Sequence, residues 1–246
     1  MSYMAQYLAG FDEILGKIKD SEGLYQEIAS KIMDRFEQNG IIFFFGAGHS
    51  HLLSLEAFCR AGGLSRVCPV LDERFMLHIS VKEASAFERT EGVAREIFDD
   101  YGVTDRDVFV VMSNSGINPL IVEMAQIARD SGALTISITN LNHSRPLESR
   151  HKNGKKLYEI CEYTLDNFGP FGDASVPTSF GVSVSPTSTA AGCVIIQSLV
   201  ACVTQEAEKR GFELELGRSG NLPPDPAHME RRLKLLERFK DRLRYL

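Results

Sequence analysis

Two short stretches of this 246-residue chain combine residue types suited to holding an anion. The first is Gly46-Ala47-Gly48-His49-Ser50-His51, directly after the apolar run Ile41-Ile42-Phe43-Phe44-Phe45. Paired glycines let a backbone turn tightly and bring its N–H groups against a ligand, and a helix that starts at once favours negative charge at its first turn. The second is Ser113-Asn114-Ser115-Gly116-Ile117-Asn118-Pro119, which follows the run Val108 to Met112. Hydroxyls at Ser113 and Ser115, backbone donors around Gly116 and the Asn118 amide can converge on phosphate oxygens. Asn118 before Pro119 also reads as a helix N-cap with proline in the first position. Both roles draw on the same unsatisfied N–H groups. A dinucleotide fingerprint is the rival reading of the first loop, with Asp72 near the place of a ribose-binding acid, but His51 stands where that fingerprint needs its third glycine.

The elements that must carry these loops follow from periodicity. Met4, Tyr7, Leu8, Phe11, Ile14, Leu15 and Ile18 recur at helical steps, and a second helix, capped by Ser21, carries Leu24, Ile28, Ile32 and Phe36 before Asn39-Gly40 ends it. Short continuous apolar runs at 41–45, 67–71, 108–112, 134–138 and 163–165 suit strands buried on both faces. Helical stretches at Leu52 to Ala61, Lys82 to Tyr101 and Leu120 to Asp130 lie between them, so βαβ units and a parallel sheet are expected. Residues 167–186, punctuated by Gly169, Pro170, Gly172, Pro177, Gly181 and Pro186, read as a long loop of the functional or disordered kind. An apolar helix runs from Thr187-Ser188-Thr189 to about Glu208, and a final amphipathic helix carries Met229, Leu233, Leu236, Phe239 and Leu243.

Composition narrows the class. A hydrophobic content of 43% suffices for a packed core, and a formal charge of −6 argues against bulk affinity for nucleic acid or anionic membrane. The tail cations (Arg231, Arg232, Lys234, Arg238, Lys240, Arg242, Arg244) alternate with Glu230, Glu237 and Asp241, as on a solvated helix face. No unbroken apolar run long enough for a bilayer stands out, and the first residues lack a signal pattern. Five widely spaced cysteines form no Cys-x-x-Cys, which fits a reduced cytoplasmic setting.

Strand, G-x-G-x-S, helix, then strand, S-x-S-G-x-N, helix resembles the sugar isomerase (SIS) domain family from about Ile41 to Glu208. Glu88-Arg89-Thr90-Glu91-Gly92-Val93-Ala94 and Ser188-Thr189-Ala190-Ala191-Gly192 look like the branch of phosphoheptose isomerase and N-acetylmuramic acid 6-phosphate etherase. Asp166-Asn167, Gly172-Asp173-Ala174 and the long tail point to an uncharacterised offshoot of it. The resemblance implies a flavodoxin-like three-layer α/β sandwich on a five-stranded parallel sheet, in one domain spanning 1–246. Residues 1–39 would be an N-terminal helical arm, 40–208 the core and 209–246 a C-terminal helical tail. It implies a phosphosugar ligand, no cofactor, and homodimers or homotetramers that share sites between subunits. Carried over position by position, the phosphate falls to Ser113, Ser115 and Asn118; the chemistry of the two loops and of the helix start at 188 adds Gly46, Gly48, His49, Ser50, Asn114, Gly116, Ser188 and Thr189 to the expected binding set.

The family's catalytic glutamate falls here on Arg60 or Cys59. Glu56, one turn earlier, is the carboxylate on the same helix face and the first candidate for moving a proton between C1 and C2. Glu88 and His228 are the places to look next; Glu88 and Glu91 read either as solvated charge or as a helix reaching toward a neighbour's site. His51 and His49 border the first loop and suit ring opening or hydroxyl binding. No third ligand clusters with them in the sequence, so no metal is expected. The expected activity is aldose–ketose isomerisation through an enediol. A phosphosugar sensor without chemistry and a phosphosugar lyase or etherase are the alternatives. Apolar stripes on both N-terminal helices exceed what a sheet covered by its own helices needs, so these helices are expected between subunits.

Overall fold

In the computed structural model, which describes residues 1–246, the apolar runs become strands and the periodic stretches helices. In chain order these are α1 (Tyr3–Asp20), α2 (Glu22–Glu37), β1 (Ile42–Gly46), α3 (His51–Ala57), β2 (Val67–Val70), α4 (Val81–Glu88) and α5 (Ala94–Asp100). There follow β3 (Val108–Met112), α6 (Pro119–Asp130), β4 (Leu134–Thr139), α7 (Leu141–Ser144), α8 (Leu157–Ile160) and β5 (Tyr163–Asp166). The chain closes with β6 (Ala174–Pro177), β7 (Ser183–Pro186), α9 (Ser188–Arg210) and α10 (Pro226–Phe239). Strands β1 to β5 form one parallel sheet in the order β2-β1-β3-β4-β5.

Alternation along each strand divides the core into two layers. Ile42, Phe44, Val108, Val110, Ile136 and Ile138 face α2, α3 and α9. Ile41, Phe43, Phe45, Cys68, Phe109 and Val111 face α5, α6, α8 and α10. On β4 that second face is polar, and its buried Thr135 and Ser137 are satisfied by β5 and the residue before it: Thr135 Oγ1 accepts from Glu162 N and Ser137 Oγ donates to Thr164 Oγ1 at 2.8 Å. The three-layer sandwich is therefore present.

Several local expectations are corrected. The helix expected over 82–101 is two, because Arg89 ends α4 and Gly92 takes a φ of 83° before α5 begins. Ser21 does not cap α2 through its side chain; its hydroxyl donates back to Lys17 O at 2.9 Å. The stretch 167–186 contains an antiparallel hairpin of β6 and β7. The stripe of α2 is not kept for a neighbour: Tyr25, Ile28, Ala29, Ile32, Met33 and Phe36 are buried within this subunit. On α1, Ile14 and Ile18 are buried while Tyr3, Met4 and Leu8 stay exposed.

The tail cations are not all solvated either. Residues 209–246 are fastened to the sheet's N-terminal edge by two ion pairs. Arg66, 2% exposed, donates to both carboxylate oxygens of Glu215 and lies over the rings of Phe36, Phe212 and Phe239. Asp107, fully buried, accepts from Ile41 N, Thr104 N and Arg242 Nη2. An 18-residue window of α9 has a mean hydropathy of 1.4, high enough to cross a bilayer, but its inward residues Ala191, Ile195, Ile196, Leu199 and Val203 belong to the core.

Candidate functional site

The sheet order reverses between β1 and β3, and the crevice beyond their carboxyl ends is where ligands settle in open α/β sheets. Both sequence motifs arrive there. Gly46 ends β1 against the backbone of Ser50, and a Cβ on it would lie 2.7 Å from Ser50 C and O. Only glycine lets the chain fold back so closely. A 3₁₀ turn over Gly48–Ser50 leads into α3. At the end of β3, Gly116 sits at a φ of 63°, which side chains rarely adopt, and its N–H donates to Ser113 Oγ at 3.1 Å.

These turns leave donors unspent. The amides of Ser115, Ile117 and Asn118, and those of Ala47, Gly48 and His49, donate to no protein acceptor. Pro119, first residue of α6, has no N–H to offer. These free amides lie in two loops at the mouth of the sheet, three of them just ahead of the positive end of α6.

A cleft of about 680 Å³ lies over the loops, lined by Gly48, His49, Ser50, Ser113, Asn114, Ser115 and Asn118 from the motifs. Its remaining polar lining is Ser85, Glu88, Arg89, His143 and Arg150. Glu88 is the one carboxylate among the lining residues. A groove of similar size, about 690 Å³, lies by β5, but Glu27, Glu159 and Glu162 line it beside Arg129 and Lys155, a poor match for phosphate.

Asn118 is not the side-chain cap the sequence suggested. Its Nδ2 donates to Glu88 Oε1 at 2.8 Å, and its Oδ1 accepts from Arg150 Nη1 at 2.7 Å. This small buried amide thereby joins a carboxylate and a guanidinium across the cleft. Asn114 is fixed by Asn167, whose Nδ2 donates to its Oδ1 at 2.9 Å. Arg150 is held from behind, its backbone N–H on Ile117 O at 2.9 Å. His143 Nδ1 accepts from Gly172 N at 3.2 Å, so the neutral ring carries its proton on Nε2, and burial lowers its pKa below 6.5.

Other candidates lie elsewhere. Glu56 is not among the cleft residues; it takes Arg60 Nη1 at 2.5 Å on one oxygen and Gln197 Nε2 at 3.2 Å on the other. His51 is buried with its Nδ1 against Gly48 O at 2.5 Å, where it braces the loop instead of lining the cleft. Ser188 and Thr189 border a hollow of about 20 Å³ beside His49, Ser50 and Asn114, room for a water. The carboxylate of Asp173 has taken the start of α9, accepting from Thr187 N at 2.9 Å, Ser188 N at 2.8 Å and Ser188 Oγ at 2.6 Å. His228 stands at the start of α10 near Arg218 and Arg231, away from the cleft.

Outside the cleft lining, Glu91, Glu123 and His151 bring potential metal ligands within 4.8 Å of one another. The donors there are already engaged. Lys152 Nζ is 2.9 Å from Glu91, Gly92 N donates to both oxygens of Glu123, and His151 Nε2 lies 3.4 Å from Glu123.

Sequence reasoning missed Arg89, Arg150 and His143. Arg89 stood inside the quoted Glu88–Ala94 motif, whereas His143, in the short helix α7, and Arg150 lie in the stretch 140–156, which carried no signal.

A doubly wound α/β domain with a polar cleft at its switch point is the class that fold and site define. Comparison narrows it: a family profile described as an SIS domain matches residues 6–140. The UPF0309 protein of Geobacillus sp. (strain WCH70) is 37% identical over 227 residues, 92% of this chain and 91% of that protein. The UPF0309 protein of Shouchella clausii is 33% identical over the full length of both. Among solved structures, a phosphoheptose isomerase from Francisella tularensis aligns with a TM-score of 0.53 at 14% identity, covering 83% of this chain and 100% of its own. The E. coli CFT073 protein c3406, solved in complex with A5P, aligns with a TM-score of 0.51 at 17% identity, covering 85% and 92%. The chain belongs to the SIS-domain family.

Proposed function

We propose that the cleft binds a sugar phosphate, with the phosphate on the 113–118 loop, and that the chain interconverts aldose and ketose forms of that sugar. The observation that carries this is the set of free amides in the two loops, which open into a cleft lined by Arg89 and Arg150. Phosphate is met by N–H groups and the dipole of α6, with guanidinium charge close by. The phosphoheptose isomerase named above and the E. coli protein crystallised with A5P share this fold and support the ligand class.

Isomerisation needs a base to carry one proton between neighbouring carbons and a donor to polarise the carbonyl. Glu88 fits the first role: one oxygen is held by Asn118 and the other has no protein partner. It takes the proton from C2 as the C1 carbonyl becomes an enediol, then returns it to C1 as the ketone forms. His143, with its proton on Nε2, and His49 are the donors at hand. Glu56, first choice from the sequence, yields the base role to Glu88 because it is turned to Arg60 and Gln197.

The test joins binding to turnover. Pentose, hexose and heptose phosphates are screened by thermal shift, and each binder is then incubated in D₂O to follow exchange at C2. Stabilisation together with exchange is the expected result. Absence of stabilisation by any of them removes the ligand assignment. Stabilisation without exchange selects a second reading, a phosphosugar sensor, which the engagement of Glu56 by Arg60 favours.

A further inference from the structure

We propose that the hollow between the end of α3 and α10 is a second anion site, which takes a phosphate monoester carrying a compact apolar body. Its volume is about 300 Å³, enough for a small organic ligand. Arg60, Arg218 and Arg232 line it around Phe58, Leu235 and Leu236, and no acidic side chain does. Arg60 is already paired with Glu56 at 2.5 Å, so the cations left for a ligand are Arg218 and Arg232.

Arg232 is the telling member. It is partly buried, forms no ion pair, and its polar neighbour is Cys59 Sγ at 3.9 Å. A guanidinium that lines a hollow and has no counter-ion is free to take a ligand anion. Arg218 is scarcely better matched, with Asp225 at 4.0 Å and Pro223 O at 2.7 Å. An adjoining hollow of about 320 Å³ shares Arg218 and Arg232 and adds Arg231 and His228, with Glu215, which is held by Arg66, as its one carboxylate.

The floor is built rather than draped. Segments 62–65 and 215–217 pair through Gly62 N to Gly217 O at 2.8 Å, Gly217 N to Gly63 O at 2.8 Å and Ser65 N to Glu215 O at 3.0 Å. A Cβ on Gly217 would stand 2.1 Å from Arg60 O, so the approach that sets Arg60 beside Arg218 tolerates no side chain. Guanidinium forks match the oxygens of a phosphate, and the phenyl and leucyl wall matches a ring or short alkyl group.

The experiment uses the Ser113→Ala/Ser115→Ala chain, in which the cleft is weakened, and phenyl phosphate as probe in calorimetry. Saturable binding tighter than that of inorganic phosphate is expected. Addition of Arg232→Gln should weaken it at least tenfold, with Arg232→Lys intermediate because it keeps the charge and loses the fork. Circular dichroism confirms that each variant is folded. No saturable binding, equal affinity for inorganic phosphate and phenyl phosphate, indifference to Arg232→Gln, or a preference for phenylacetate overturns the proposal. Sugar phosphate binding by the native chain is measured separately, so either site can fail without the other.

Discussion

Glu88 and Glu56 present two carboxylates in different states of readiness. Glu88 has one oxygen on Asn118 and one free toward the cleft, whereas Glu56 is paired on both oxygens. Glu88→Gln is therefore expected to abolish C2 exchange while retaining sugar phosphate affinity within a few fold, because the amide keeps shape and loses the base. Glu56→Gln should leave exchange largely intact, and the reverse pattern in an NMR exchange assay would return the base to α3. Ser113→Ala with Ser115→Ala removes two hydrogen bonds to a charged group, a loss of roughly 3–6 kcal/mol in binding. Calorimetry at matched ionic strength reads it directly. The loops were legible because their chemistry is local: glycines, hydroxyls and a proline follow a strand within a few residues. His143 and Arg150 were not, because each depends on a chain reversal of about thirty residues, as the Arg150–Asn118 and His143–Gly172 bonds show.

At the level of elements, the start of α9 is governed from a distance. Asp173, from the start of the β6–β7 segment, accepts from two backbone amides and one hydroxyl there. Asp173→Ala should cost about 0.5–2 kcal/mol as a lost cap, seen as a lower Tm and faster amide exchange at Thr187 and Ser188. His143 makes a related prediction with pH. Burial depresses its pKa below 6.5, so the folded state resists protonation more than the unfolded chain does. Its contribution to stability is present above pH 6.5 and falls as pH drops below that value. Protonation at Nδ1 also ends the bond from Gly172, and the packing on Phe171 loosens with it. Faster exchange at Gly172 at pH 5.5 than at pH 7.5, after correction for intrinsic rates, would report this. The strands were readable because burial on both faces leaves continuous apolar runs. The hairpin was hidden, since its strands are half exposed and its prolines read as loop.

On the scale of the molecule, α1 keeps Tyr3, Met4 and Leu8 exposed, and the hairpin beside it exposes Phe180, Val182 and Val184. Such a patch on one face marks an interface, and a second copy of the chain is the expected cover. Light scattering should give a dimer or larger closed assembly, and Leu8→Glu with Phe180→Glu should give a folded monomer. A stable monomer of the native chain at micromolar concentration contradicts this. The periodicity announced all the long helices but could not say which of them the subunit uses for itself. The α2 stripe proved to be core because α9 lies along it, a pairing that joins residues far apart in sequence.

The fastening of the tail has a consequence for how the protein is made. Arg66 waits for Glu215, 149 residues later, and Asp107 waits for Arg242, 135 residues later. At ribosomal speeds of about 5–20 residues per second, these charges stand unpartnered for on the order of ten seconds after they emerge. The sheet cannot close over them favourably during that interval, since a lone buried charge costs several kcal/mol. Chains arrested near residue 210 should therefore be cut by protease as an open species, while full-length chains resist. Residues 209–246 thus act as a completion signal for the first strands.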